Sequence, residues 1–136
     1  MTEFGVISTT HQAEDRSWLI GPHGTDPGTT PSITLDLALF DQATHFPQGT
    51  IPSGIVLAKN ETTELFGPYD PAATDGRQAA SCILFGSLPA RATSGRVGGA
   101  GVVHGFVNPD RLPLKAGAGS LDTAARGALT LIHFGL

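Results

Sequence analysis

The stretch ITLDLAL at residues 33–39 carries its large apolar side chains at the odd positions, with Thr34 and Asp36 between them. Successive side chains of a β-strand point to opposite faces, so this pattern is typical of a strand that is buried on one side. The same reasoning predicts further strands at residues 55–59, 64–66, 79–88, 101–107 and 130–134. The longest apolar run, at 79–88, is predicted to be the central strand.

Between these strands, the sequence favours loops and one helix. Residues 89–99 are small and polar, which predicts a loop or hairpin tip. Apolar residues recur at helical spacing over residues 121–129, and Ser120 is placed to cap a short C-terminal helix there.

A structured turn is predicted over GPYDPAATDG at residues 67–76. A residue that precedes proline is pushed toward extended geometry, and an Asp-Gly pair supplies the positive φ of a chain reversal. The site residues assigned to this turn are Tyr69, Asp70, Pro71, Asp75 and Gly76. Two acids offer too few oxygens for calcium, so the interpretation is structural.

Composition narrows the class of protein. The chain has 136 residues, enough for one domain, and its low charged fraction of 15% with 18 Gly and 10 Pro favours a turn-rich β fold over a helical bundle. A net charge of −4 with only eight scattered Lys and Arg predicts no nucleic-acid partner. No apolar run approaches the roughly 18 residues of a membrane helix, and no secretory signal is visible.

Chemistry-bearing motifs are absent from the sequence, so we predict no catalytic residue, no cofactor and no metal. None of the five histidines has the spacing or the cysteine partner of a zinc site. His104 and His133 are predicted to be core or interface residues, and Cys82, the single cysteine, a buried core residue. The glycine-rich run at 95–101 lacks the Gly-Lys-Ser/Thr ending of a phosphate loop.

The first 31 residues differ from the rest, because proline and glycine interrupt them and no apolar period is sustained. We therefore predict an extended N-terminal arm over 1–31 and a β domain over 32–136. Trp18, Leu19 and Ile20 form the largest apolar group near the end of this arm and are predicted to anchor it to a partner. The alternative is that Trp18 folds back onto its own β domain.

Several motifs, in this order along the chain, resemble the lambda-type head decoration protein family of tailed phages. They are IPSGIVLAK at 51–59, YDPAATDG at 69–76, VHGFV at 103–107 and LDTAARGAL at 121–129. The resemblance extends from residue 32 to residue 134. The sequence departs from the family at Ala58, where a glycine is usual, and over residues 60–66.

The resemblance implies a mainly β, compact, barrel-like domain without enzymatic activity. It further implies a homotrimer on the outer surface of the expanded icosahedral head, at threefold and quasi-threefold sites, made in the host cytoplasm. There the trimer would bind the major capsid protein and brace the head against internal DNA pressure. The arm would supply the capsid contacts, with Trp18, Leu19 and Ile20 among them. Deletion of residues 1–31 is then expected to leave the β domain folded and to abolish capsid binding.

A carbohydrate- or host-surface-binding β module is the alternative function for a small acidic β chain. Such modules usually present several aromatic residues on one face, and this chain has one Trp and one Tyr. A small hydrolase is disfavoured because no nucleophile–base pair is visible.

Overall fold

The computed structural model describes residues 15–26, 28–90 and 95–135. Within these ranges the chain forms short strands, two short α-helices and two 3₁₀ turns. The strands are β1 (Ser32–Asp36), β2 (Thr50–Ile51), β3 (Val56–Lys59), β4 (Phe66–Pro68), β5 (Cys82–Leu84), β6 (Leu88–Pro89), β7 (Arg96–Val102), β8 (Gly105–Val107) and β9 (Ile132–Phe134). The helices are α1 (Gln42–His45) and α2 (Thr123–Ala128), and the 3₁₀ turns are Leu37–Leu39 and Pro109–Arg111.

Five strands close into a barrel in the order β1-β4-β3-β5-β7. Neighbouring strands are antiparallel except β1 and β4, which are parallel and pair at Leu35 and Phe66. Two small pairs lie outside this ring, β2 with β6 and β8 with β9. The predicted fold class, a mainly β barrel-like domain, is confirmed.

Alternate side chains of the barrel strands enter two apolar clusters. Leu35, Leu57 and Leu84 belong to a cluster with members from all five strands, which fills the barrel interior. Val56 and Ile83, one position away, belong to a second cluster on the outside of the barrel, completed by side chains of α2, β8, β9 and the N-terminal segment. Both faces of β5, and of β3 as far as Ala58, are therefore buried, which explains the continuous apolar sequence of these residues.

Several predicted strands are shorter than expected or divided. The strand predicted over 33–39 ends at Asp36, because the carboxylate of that residue caps the following 3₁₀ turn. Of the run at 79–88, only β5 belongs to the barrel, while its last residue begins β6. The strand predicted over 101–107 is split between β7 and β8, and Gly105 begins β8 with a φ of 140°.

The loop predicted over 89–99 is wrong at its C-terminal end, where β7 is the longest strand of the described chain. Two glycines of this strand, Gly99 and Gly101, allow close packing. A Cβ on Gly99 would lie 2.7 Å from Leu88, and a Cβ on Gly101 would lie 2.7 Å from the sulfur of Cys82. Side chains of neighbouring strands occupy the space that a larger residue would need, so a glycine-rich sequence forms a strand here.

Helix α2 confirms the predicted C-terminal helix, but its N-cap is Asp122 and not Ser120. The Asp122 carboxylate accepts a hydrogen bond from the Ala125 amide at 2.8 Å, the usual capping contact. Ser120 instead donates its hydroxyl to the Gly117 carbonyl at 2.6 Å. The four-residue helix α1 was not predicted.

Tyr69 links this cap to the core, and its ionisation should make the stability of the domain depend on pH. Its hydroxyl donates to Asp122 at 2.9 Å, and burial, followed by this hydrogen bond, raises the pKa of Tyr69 to about 12 from its ordinary value of 10. Because the neutral phenol is favoured in the folded state, the resulting stability is present below pH 10 and is lost as the pH rises toward 12.

We expect Tyr69→Phe to lower the free energy of unfolding by about 1.5–3 kcal/mol at pH 7, since a hydrogen bond to a charged group is lost. This difference between the two proteins should shrink between pH 10 and pH 12, as measured by urea unfolding. Burial also raises the pKa of Cys82 to about 12, but this contribution is common to both proteins. A difference that stays constant up to pH 12 would contradict the assigned role of the phenol.

The N-terminal segment differs from the predicted arm, because Trp18 and Leu19 pack against the β domain. Trp18 is 0% exposed and belongs to the outer apolar cluster. Its indole Nε1 donates to the Ser53 hydroxyl at 3.0 Å, and that hydroxyl donates to the Phe85 carbonyl at 2.7 Å. Arg16 lies over the Phe85 ring, 4.2 Å from its centroid. Trp18 is therefore no exposed anchor, and the alternative that it packs on its own domain agrees with the structure. Residues 1–14 of the predicted arm lie outside the described residues.

Candidate interaction surface

A small sheet of three chain segments lies beside the barrel. Strand β8 pairs in parallel with β9 and, on its other edge, forms an antiparallel bridge between Val107 and Leu19. The Ile20 amide donates to the Phe106 carbonyl at 3.0 Å, and Phe106 stands opposite His133 in the register of β8 and β9. Because the residues on either side of Phe106 are buried, the Ile20, Phe106 and His133 side chains form a row on the outward face.

This outward face carries the large hydrophobic side chains that are exposed in the described part of the chain. Ile20 is 38% exposed, Phe106 42% and Leu131 70%. Three histidines adjoin them. We define the outer sheet surface as Ile20, His23, His104, Phe106, Leu131 and His133. A cluster of exposed apolar side chains is typical of a contact surface, whereas isolated exposed apolar residues are not.

Aromatic contacts join the histidines to this surface. The Phe106 ring lies 5.8 Å from the His23 ring and 5.9 Å from the His133 ring, measured between centroids. His23 and His104 meet edge to face at 5.1 Å, with His104 Nδ1 3.3 Å from His23 Nε2. His104 and His133 were predicted to be core or interface residues. The structure places His133 exposed and His104 half-buried, both on the outer sheet surface.

The predicted turn residues lie elsewhere, between β4 and β5. Asp70 accepts a hydrogen bond from the Ala72 amide at 3.0 Å, and Asp75 accepts from both the amide and the guanidinium of Arg77 at 3.1 Å. These contacts, with the backbone hydrogen bond first, hold the pKa of Asp75 below its ordinary value. Gly76 has a φ of 111°, and a Cβ there would lie 2.7 Å from the Lys59 carbonyl oxygen. The turn is thus fixed by local contacts and packs against the end of β3.

The predicted anchor residues are divided between core and surface. Trp18 is in the core, Leu19 is half-buried on the core side of the small sheet, and Ile20 is on the outer sheet surface. The contact between His23 and His104 was not predicted, because 81 residues separate the two histidines. A signal was present in the outward positions of the VHGFV motif, where His104 and Phe106 alternate with valine and glycine.

The hydroxyl of Ser53 and the thiol of Cys82 are not available as nucleophiles. The Ser53 hydroxyl is held between Trp18 and Phe85, and the Cys82 thiol is buried. Among the residues that the structure describes, no three His, Cys, Asp or Glu side chains are grouped as a metal site. In the same ranges no helix is long and apolar enough to span a membrane.

Comparison with known families identifies the domain. A family model described as bacteriophage lambda head decoration protein D matches residues 32–133, from the first residue of β1 into β9. A comparison with curated proteins finds no match. The matched range holds the whole barrel, α2 and β8, while Trp18 and Ile20 precede it. The chain therefore belongs to the lambda head decoration protein D family, the non-enzymatic structural proteins that decorate and stabilise the outer surface of the phage capsid.

Proposed function

We propose that the protein acts as a homotrimer that caps threefold and quasi-threefold positions of the expanded head. The trimer binds the major capsid protein there and braces the shell against the pressure of packaged DNA. The family match over residues 32–133 carries this proposal, because it gives the capsid as the partner. A threefold position offers three equivalent capsid surfaces, and a closed three-membered ring of identical chains matches that symmetry.

The outer sheet surface is the part of the domain best suited to contact between copies. Its apolar side chains, Ile20, Phe106 and Leu131, gain free energy when they leave water. None of its six side chains carries a permanent charge, although the whole chain has a net charge of −4. Copies of an acidic chain can therefore meet on this surface without placing like charges against each other. The centres of protein interfaces are likewise poor in charged residues.

The test is the oligomeric state of a variant with Phe106→Ser and Leu131→Ser. Leu131 is 70% and Phe106 42% exposed, and neither belongs to an apolar core cluster, so the variant should keep its fold with a moderate loss of stability. Light scattering should give a trimer for the wild type and a monomer for the variant. Leu65→Ser is the matched control, since it removes a half-buried leucine from the loop between β3 and β4. A variant that stays trimeric would exclude this surface as the contact, and a wild type that is monomeric in solution and on capsids would overturn the trimer.

Capsid attachment is proposed to reside in the N-terminal segment, as the family resemblance implies. The burial of Trp18 and the pairing of Leu19 narrow the proposal to other residues of 1–31. Residues 1–14 include Phe4, Val6 and Ile7, apolar side chains of the kind that anchor an extended segment in a pocket. Three such segments on one trimer would convert weak single contacts into strong binding.

The alternative function, carbohydrate binding, usually depends on exposed Trp or Tyr side chains. The single Trp and single Tyr of the chain, Trp18 and Tyr69, are both buried. The outer sheet surface therefore presents Phe106 and histidines, without the exposed Trp or Tyr platform that would favour a sugar ring.

A further inference from the structure

We propose that His23 and His104 form a binding site for a divalent transition metal, with Zn²⁺ as the best geometric match. The observation is the distance of 3.3 Å between His23 Nε2 and His104 Nδ1. Zinc binds imidazole nitrogen at about 2.0–2.1 Å in tetrahedral geometry, so two of its ligands lie about 3.3–3.4 Å apart. The two nitrogens therefore already have the separation that one zinc ion requires.

The backbone holds the two histidines together. A Cβ on Gly24 would lie 1.9 Å from the carbonyl oxygen of His104, and a Cβ on Gly105 would lie 2.6 Å from that of His23. Both glycines have positive φ, 85° and 140° respectively. The chain next to each histidine can therefore approach the other histidine more closely than residues with side chains would allow. Such a prearranged pair loses less freedom on binding a metal than two independent surface histidines would.

The metal-free pair is compatible with this chemistry. Without metal, one imidazole N–H donates to the facing nitrogen of the other ring. For metal binding, the donor ring moves its proton to its other nitrogen, so both facing nitrogens present lone pairs and no net proton is released. In the single chain His23 is exposed and His104 half-buried, so water completes the coordination there, while in the proposed trimer a neighbouring copy can take the place of that water. Imidazole nitrogen is a preferred donor for zinc, copper and nickel.

A metal at this site would fasten the N-terminal segment to the barrel. His23 follows the residues that pair with β8, and His104 lies in the turn between β7 and β8. The metal would thus join two positions 81 residues apart. Because it binds the folded state, it should stabilise the domain and hold residues 15–26 in place.

The experiment is a titration of the full chain with ZnCl₂, followed by calorimetry and by thermal unfolding. We expect one Zn²⁺ per chain and, at a free concentration one hundred times the dissociation constant, a rise of about 8 °C in the unfolding midpoint. His23→Asn and His104→Asn should each abolish the rise. His133→Asn is the matched control, an exposed histidine of the same surface that should leave zinc binding unchanged.

Imidazole ¹⁵N resonances of the wild-type chain make the test independent of any variant's folding. Zinc should shift the ring nitrogens of His23 and His104 and leave those of His133 in place. The proposal would be overturned if the wild type did not bind zinc, or if His23→Asn and His104→Asn bound zinc as tightly as the wild type. Loss of zinc binding in His133→Asn would overturn it as well.

Discussion

Replacing Trp18 with alanine should lower the free energy of unfolding by about 3–5 kcal/mol, as for other large aromatic residues in a packed core. Trp18 is 0% exposed, and its ring packs in the cluster that joins the barrel to α2 and the small sheet. Truncation would leave a cavity in the cluster that Trp18 shares with Val56 of β3 and Ile83 of β5, and a packed core relaxes only partly into such a cavity. The Ser53 hydroxyl would keep its hydrogen bond to Phe85, so the loss should come mainly from packing.

Urea unfolding measures this effect, and two variants serve as controls. Trp18→Phe should retain a large part of the stability, because an aromatic ring still fills most of the site. Ile20→Ala, two residues along the chain, should cost less than about 1 kcal/mol, because Ile20 is 38% exposed. A Trp18→Ala variant as stable as the wild type would show that the N-terminal segment does not belong to the core in solution.

Two N-terminal deletions should behave differently. Deleting residues 2–14 should leave the stability of the domain unchanged and abolish or severely weaken capsid binding, if those residues carry the attachment. Deleting residues 2–31 should cost at least as much stability as Trp18→Ala, because it also removes the bridge from Leu19 to Val107. This replaces the expectation from sequence that the domain folds without its first 31 residues.

Pelleting with expanded, undecorated capsids measures binding, and urea unfolding of the same samples measures stability. Trp18→Phe is the control that separates an effect on stability from an effect on capsid binding. It alters the core without shortening the N-terminal segment, so it should bind capsids as the wild type does. Tight binding by the chain that lacks residues 2–14 would contradict attachment through those residues. A chain that lacks 2–31 and is as stable as the wild type would contradict the role of Trp18 in the core.

Local pattern was sufficient to predict the fold class and the resemblance to the family. Alternation at residues 33–39 predicted β1, because one face of that strand meets the barrel interior and the other meets solvent. The turn at 67–76 and the helix at 121–129 follow from proline, Asp-Gly and helical spacing, all of which act between residues close in sequence. The motifs at 51–59 and 69–76 identified the same family that the family model matches.

Tertiary structure decided what depends on contacts between distant segments. Trp18 lies in a proline- and glycine-rich stretch that predicts an arm, but a partner 35 residues away, Ser53, and a pocket in the outer cluster hold it in the core. The glycines of β7 predict a loop from sequence, but in the structure Leu88 and Cys82 occupy the space beside Gly99 and Gly101. His23 and His104 meet across 81 residues, a proximity that no local spacing encodes. Sequence alone determined which segments can be strands or turns, because those preferences are local, whereas burial and pairing were fixed by how the closed barrel brings distant residues together.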